Sequence, residues 1–140
     1  MKNPFKYLIP AYYSALSGQI IVNGNILPVY DGMVAPNGAS SYILIGERTT
    51  SQQQAKCGFL TECFVLIDIV LKGSNYGFKA VEDAADQVLA IINSDDNPMP
   101  VSGIQVVTTS VQSINNLSGL NATDQVFRTL IRFRNVVSQI

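Results

Sequence analysis

The chain has 140 residues, enough for a sizeable core, and 47% of them are apolar, which excludes a disordered chain. Charged residues make up only 14%, against about 25% in an average soluble domain, and the net charge is −1. This balance favours neither nucleic acid nor an anionic membrane, and it predicts that part of the surface is buried against other subunits. The alternative is that the many Ser, Thr, Asn and Gln side chains solvate the surface. We expect residues 1–140 to form a single domain.

The residue types that carry most enzyme chemistry are scarce. The chain contains no His, which removes the commonest general base and the commonest metal ligand. Its two cysteines, Cys57 and Cys63, are too few for a disulfide scaffold, and we expect two free thiols, with Cys63 in the core. There is no phosphate-binding glycine loop and no nucleophile beside a base. The sequence therefore predicts no catalytic, cofactor or metal site.

The first predicted element is a helix. Asn3-Pro4 is typical of an N-cap followed by proline at the first helical position, and apolar residues continue at helical spacing to Leu16. Pro10 interrupts this pattern, so we expect the helix to kink or to start again there. A hairpin should follow, since Asn23-Gly24-Asn25 separates the apolar runs Ile20–Val22 and Ile26–Val29.

A strand is predicted next, over Ser41–Thr49, after a proline-containing loop at residues 33–40. The polar stretch Thr49–Gly58 is predicted to be a loop or a hairpin tip. Phe59–Lys72 is the clearest strand of the chain, because its residues alternate between two faces. One face is apolar and should meet the core: Cys63, Val65, Ile67, Ile69 and Leu71. The other face is mixed: Glu62, Phe64, Leu66, Asp68, Val70 and Lys72.

The last third of the chain should hold a helix at about residues 77–93 and two strands, Ile104–Ser113 and Gln125–Val137, joined by a turn at 114–124. Runs of strands separated by single helices indicate an α+β fold. We therefore predict a mainly antiparallel β-sheet with two α-helices packed on one face, plus an N-terminal β-hairpin.

The charged side chains offer few candidate sites. Glu62 and Asp68 share a strand face but lie ~20 Å apart, too far for an acid/base pair. The carboxylates near the start of the second helix, Glu82, Asp83 and Asp86, should form a solvated face that suits the helix dipole. Three arginines share one face of the last strand: Arg128, Arg132 and Arg134. They form either a solvated face or an interface that pairs with acidic groups of a neighbour, and they are too few to indicate nucleic-acid binding.

Two other groups of residues are candidates for a partner interface. Phe64 and Leu66 lie on the mixed face of the Phe59–Lys72 strand, where apolar side chains suit partial cover by a neighbour. The polar stretch offers many hydrogen-bonding groups and almost no charge, and we predict that it docks a partner through Ser51, Gln52, Gln53 and Gln54. The alternative for this stretch is a solvated connection without a role.

One stretch resembles a known family. Val29-Tyr30-Asp31-Gly32, a proline loop, and Ser41-Tyr42-Ile43-Leu44-Ile45-Gly46-Glu47 are similar to the small tail-completion proteins of tailed bacteriophages, a group akin to tail terminators. In that family a Val-Tyr-Asp turn leads through a proline loop into a strand that ends near Gly-Glu. The later elements follow in the same order, and the resemblance covers about residues 11–137. The hairpin at Ile20–Val29 is additional to the shorter members.

The resemblance implies a structural virion subunit, located in the virion after assembly in the bacterial host cytoplasm. Such proteins form a homo-oligomeric ring at the tail end or head–tail junction, of roughly six copies in a tail terminator or roughly twelve in a neck position. The implied partners are neighbouring head-connector or tail proteins, with no membrane, no sequence-specific nucleic acid and no cofactor. The alternatives are a binding module without a phage role and, less favoured, a small enzyme with an unrecognised site.

Overall fold

The computed structural model describes residues 3–33, 41–55, 58–72, 77–92, 101–120 and 125–138. Within these ranges the chain forms two helices and seven strands. The helices are α1 (Phe5–Leu16) and α2 (Phe78–Ile92). The strands are β1 (Ile21–Val22), β2 (Asn25–Ile26), β3 (Val29–Asp31), β4 (Tyr42–Ala55), β5 (Gly58–Lys72), β6 (Gln105–Leu120) and β7 (Gln125–Ser138). The α+β prediction is confirmed.

The main sheet has the strand order β3-β4-β5-β7-β6. Every neighbouring pair is antiparallel except β3 and β4, which run parallel. Helix α1 packs against β3 and β4, helix α2 packs against β5 and β7, and the two helices contact each other. The predicted arrangement of helices on one face of the sheet is therefore confirmed.

The core lies between the helices and one face of the sheet, which we call the covered face. The apolar set predicted on β5, from Cys63 to Leu71 at alternate positions, is fully buried there. Tyr12 of α1 and Phe133 of β7 meet across this layer, with ring centroids 5.9 Å apart. Each large aliphatic side chain buried in this way contributes about 1.5–3 kcal/mol of transfer free energy, so this layer supplies most of the stability.

Helix α1 begins where the sequence predicts. Asn3 Oδ1 accepts a hydrogen bond from the Phe5 N–H at 3.2 Å, and Pro4 has helical dihedrals. The helix does not start again at Pro10, because one continuous apolar stripe anchors both halves against the core. The buried residues of that stripe are Leu8, Ile9, Tyr12 and Leu16, whereas Pro10 is exposed.

The hairpin of β1 and β2 turns at Asn23-Gly24, where both residues have positive φ (51° and 81°), as a type I′ turn requires. The predicted second strand, Ile26–Val29, is corrected: it divides, and Val29 begins β3 in the main sheet. The physical reason is core burial, since Leu27 and Val29 are both buried. The Ile43 N–H also donates to the Pro28 carbonyl at 2.9 Å, which fixes the parallel pairing of β3 with β4.

The predicted loop at Thr49–Gly58 is wrong. β4 continues through Ala55 and β5 begins at Gly58, with Thr50 opposite Cys63 and Gln54 opposite Phe59. The antiparallel pairing of the two backbones outweighs the weak strand preference of the Gln run. A long hairpin therefore stands where a nine-residue connection was expected.

The predicted turn at 114–124 is also wrong over its first part. β6 runs through Leu120, and Asn116 lies opposite Thr129 of β7, whose Oγ1 donates to Asn116 Oδ1 at 2.8 Å. This cross-strand hydrogen bond satisfies one of the polar side chains that suggested a turn. β6 is an edge strand, and its register with β7 shifts at two bulges, Val106/Thr108 and Val111/Ser113.

Candidate partner interface

The sheet face opposite the helices, which we call the open face, gathers the mixed residues of β5 and the arginines of β7. Both described helices lie on the covered face, so neither packs here. The side chains of the open face include Glu62, Phe64, Leu66, Asp68, Lys72, Arg128, Leu130, Arg132 and Arg134. Most of them are half-buried by one another.

Two of the three predicted arginines form ion pairs within the chain. Arg128 Nη2 lies 2.6 Å from Asp68 Oδ2 and its Nε lies 3.3 Å from Oδ1. Arg134 pairs with Glu62 in the same way, at 3.0 and 3.2 Å. These hydrogen bonds raise the pKa of both guanidinium groups. For these two arginines, the acidic partners that an interface would take from a neighbour thus lie on the adjacent strand of the same chain.

Arg132 is different from the other two arginines. Its Nη2 donates to Thr49 Oγ1 at 3.0 Å, and its guanidinium lies 5.1 Å from the centroid of the Phe64 ring. Within the described part of the chain it makes no ion pair, and its buried Nε has no hydrogen-bond acceptor. Arg132 is therefore the under-satisfied cation of the open face.

The apolar candidates lie between these charges. Leu66 stands opposite Arg132 in the β5–β7 register, and Phe64 stands opposite Arg134. Both side chains are half-buried. The structure therefore brings five of the predicted interface residues onto one surface, in which apolar groups and charges alternate.

The remaining candidates, Ser51, Gln52, Gln53 and Gln54, lie in β4 near the end of the long hairpin. Ser51 is opposite Glu62 and Gln53 is opposite Leu60. On the outer side of β4, the one neighbour among the described strands is β3, which pairs only with Ile43–Ile45. Docking through these residues stays a prediction, now for a strand edge instead of a loop.

A polar cluster on the covered face serves packing. Asn135 Oδ1 accepts hydrogen bonds from the Tyr12 hydroxyl and from Thr109 Oγ1, each at 2.9 Å, and Asn135 Nδ2 donates to the Cys63 carbonyl at 3.2 Å. Burial raises the pKa of the Tyr12 hydroxyl above its usual range and that of the Cys63 thiol to about 11. Both groups stay protonated at neutral pH. Cys63 is free and buried, as predicted, and Cys57 lies outside the described residues.

The outer side of α2 carries the predicted carboxylates Glu82, Asp83 and Asp86, all exposed. Gln87 of the same helix holds the small hairpin: its Nε2 donates to the Ile21 carbonyl at 2.8 Å, and its Oε1 accepts from the Ile21 N–H at 2.9 Å. Among the described residues, no three His, Cys, Asp or Glu side chains gather in a way that could hold a metal ion. Neither described helix is long and apolar enough to cross a membrane.

Sequence reasoning missed the roles of Asp68 and Glu62 as partners of the arginines. The signal was present, since acids at even positions of β5 and arginines at even positions of β7 share a face once the two strands pair. The antiparallel register then makes each acid a diagonal neighbour of an arginine, within reach of its long side chain.

Comparisons with known proteins agree with the fold. A family model described as "Tail completion protein gp17" matches residues 12–138. A chain in the virion of a native gene transfer agent (GTA) particle has a similar structure, with a TM-score of 0.75 and 20% sequence identity. That match covers 95% of this chain and 96% of the other. None of the curated proteins compared with the chain matches it.

Proposed function

We propose a ring-forming structural role for this chain, which belongs to the tail completion protein gp17 family. The resemblance identified in the sequence is confirmed, since the family model spans nearly all of the chain. The chain is accordingly a structural component of a phage or phage-like virion, with a role in the tail or at its junction with the head. A binding module without a virion role is not favoured.

The finer proposal is a homo-oligomeric ring at the head–tail junction or the tail end. A tail-terminator position suggests roughly six copies and a neck position roughly twelve. The observation that carries it is the open face, where half-buried apolar groups and an under-satisfied Arg132 lie without a covering helix. The low fraction of charged residues, 14%, also supports burial of part of the surface against other subunits. Neighbouring head-connector or tail proteins would contact the two ends of such a ring, without a membrane or sequence-specific nucleic acid.

A mass measurement tests the ring. Sedimentation velocity and native mass spectrometry of the purified chain should reveal one discrete oligomer, and electron microscopy should show it as a ring. A protein that stays monomeric at every concentration and is absent from purified particles would contradict the proposal.

We also propose that residues 51–54 dock a neighbour through the outer edge of β4, which no described strand pairs with at these positions. Deleting them would shift the hairpin register, so substitution to lysine, which discourages strand pairing, is the better test. Gln53→Lys with Ser51→Lys should leave folding intact and lower the yield of complete particles. Gln112→Lys, at an exposed position of the opposite edge strand, is the matched control. Equal particle yields for the two variants would contradict docking through residues 51–54.

Finally, we propose that the chain has no catalytic activity and acts as one domain. The structural character of its family supports the absence of catalysis, as does the absence of His from the sequence. A single hydrophobic core that runs from Leu8 to Val137 supports the single domain. One cooperative unfolding transition by two spectroscopic probes is the expected result, and two separate transitions would contradict it.

A further inference from the structure

We propose that the open face of one subunit binds the acidic outer side of α2 in a second copy of this chain. Each subunit would then contact its neighbours through two different surfaces. This inference rests on the proposed ring and names the surfaces that close it.

The first observation is an excess of positive charge on the open face. On β5 and β7, four cations, Lys72 and the three arginines, stand against two carboxylates, Glu62 and Asp68, and on β4 the exposed Glu47 lies in the bulge opposite Leu66. Both carboxylates are already engaged by bidentate bonds to Arg128 and Arg134. The charge that remains for a partner therefore belongs to Arg132 and Lys72.

Arg132 is the centre of this surface. Phe64 supports its guanidinium from one side, and among the described residues only Thr49 accepts a hydrogen bond from it. Its buried Nε lacks an acceptor, so the free subunit holds a cation that is partly desolvated and poorly satisfied. A carboxylate from a partner would supply the missing charge and accept from the N–H groups that remain.

The matching charge lies on the other side of the same subunit. The exposed surface of α2 carries three carboxylates, Glu82, Asp83 and Asp86, against one cation, Lys79. Glu82 and Asp86 are four residues apart and so share one face of the helix. Within the described residues none of the three carboxylates forms an ion pair, although Asp83 Oδ2 accepts from Gln87 Nε2 at 3.2 Å. The outer side of α2 is thus acidic, whereas cations are in excess on β5 and β7 of the open face.

The geometry suits a contact that repeats. The open face and the outer side of α2 point in opposite directions, because α2 packs on the covered face. A contact between two different surfaces is heterologous, and it produces a ring when the rotation between subunits closes.

Charge reversal on each surface tests the inference. Arg132→Glu makes the open face acidic at its centre, and Glu82→Lys with Asp86→Lys makes α2 basic while sparing Asp83 and its bond to Gln87. Lys6→Glu, on the exposed side of α1, is a control with the same charge change as Arg132→Glu. We expect each of the two surface variants alone to associate at least tenfold more weakly by sedimentation velocity, and the control to assemble as the natural chain does.

A mixture of the two surface variants gives the sharper result. In an alternating ring, every joint between copies pairs either two unchanged surfaces or the acidic centre of one variant with the basic helix of the other, so charge attraction returns at each joint. Mixing should restore the natural oligomer, an outcome that damage to folding in either variant would not produce. The helix variant changes only exposed side chains, so it remains informative if Arg132→Glu unfolds. Arg132→Gln then serves as the open-face variant for the loss of association alone, without the mixing step.

Four outcomes would overturn the inference. Unchanged association of both variants would show that the ring closes through other surfaces, and the ring itself would stand. Loss of association that the mixture does not restore would exclude the pairing of these two surfaces. Unchanged association together with weaker binding of DNA by Arg132→Gln would assign the open face to nucleic acid. A natural chain that is monomeric at every concentration would contradict the proposed ring as well as this inference. Failure of the ring can therefore be distinguished from failure of the proposed interface.

Discussion

Leu66 and Ile67 are neighbours on β5, yet they lie in opposite environments. Ile67 is fully buried on the covered face beneath the helices, whereas Leu66 is half-buried on the open face opposite Arg132. The covered face is continuous and apolar, and it encloses one small hydrogen-bonded cluster at Asn135. The open face mixes apolar groups with ion pairs, which lets it remain in water until a partner covers it. The same strands therefore encode folding on one face and, in our proposal, association on the other.

The largest expected effect separates the two faces directly. Ile67→Ala should lower the free energy of unfolding by about 3 kcal/mol, because it leaves a cavity that the packed layer cannot fill. Leu66→Ala should cost about 1 kcal/mol or less in the unassembled subunit and should weaken association instead. Urea unfolding and sedimentation velocity on both variants make the comparison. Equal losses of stability would mean that the open face contributes to the fold as much as the covered face does.

The second effect concerns the polar cluster within the covered face. Asn135→Ala should cost about 2–3 kcal/mol, since it leaves the buried Tyr12 hydroxyl without its acceptor. Tyr12→Phe alone should cost about 1 kcal/mol. Combining the two should give a protein more stable than Asn135→Ala alone, because the hydroxyl that lost its partner is gone. If the two losses simply add, Asn135 stabilises the fold through its other contacts.

The third effect is a pH dependence that only the covered face should show. Burial raises the pKa of Cys63 from 9.0 to about 11, so the folded state binds a proton that the unfolded state releases. This contribution is complete below pH 9 and is lost as the pH rises towards 11. Between pH 8 and pH 10, Cys57→Ser protein should lose about 1–2 kcal/mol more than Cys57→Ser/Cys63→Ala protein. Parallel pH profiles for the two proteins would count against a buried, protonated thiol.

The smallest effect belongs to an ion pair of the open face. Arg128 is about half exposed, so its bond to Asp68 is screened by water, and a double-mutant cycle with Asp68→Asn and Arg128→Gln should give a coupling below about 1 kcal/mol. The coupling should decrease further when salt is raised. A much larger, salt-independent coupling would indicate that the open face is drier than its exposure suggests.

The sequence predicted well the features that depend on local pattern. The alternation on Phe59–Lys72 gave the two faces of the central strand, the spacing of Arg128, Arg132 and Arg134 placed them together, and Asn23-Gly24 gave the hairpin turn. These signals work because side-chain parity and turn conformation are set within a few residues.

What the sequence did not predict depends on pairing between distant strands. The Gln run and residues 114–120 carry residues that favour turns, and only their register with β5 and β7 makes them strands. Val29–Asp31 joins the main sheet because burial of Val29 in the core stabilises this pairing. No local sequence pattern predicts that burial. For the site, the partners of Arg128 and Arg134 appear only once the β5–β7 register is known.

The two bulges in β6 affect the aggregation of subunits that have not yet assembled. β6 forms one edge of the sheet, is 16 residues long and carries no charged side chain, a combination that invites strands of other molecules to add to it and to grow into fibres. Each bulge interrupts the even row of backbone donors and acceptors and increases the local twist. A second strand cannot then align along the whole edge, so the pool of free subunits is protected from aggregation by backbone geometry instead of by charge.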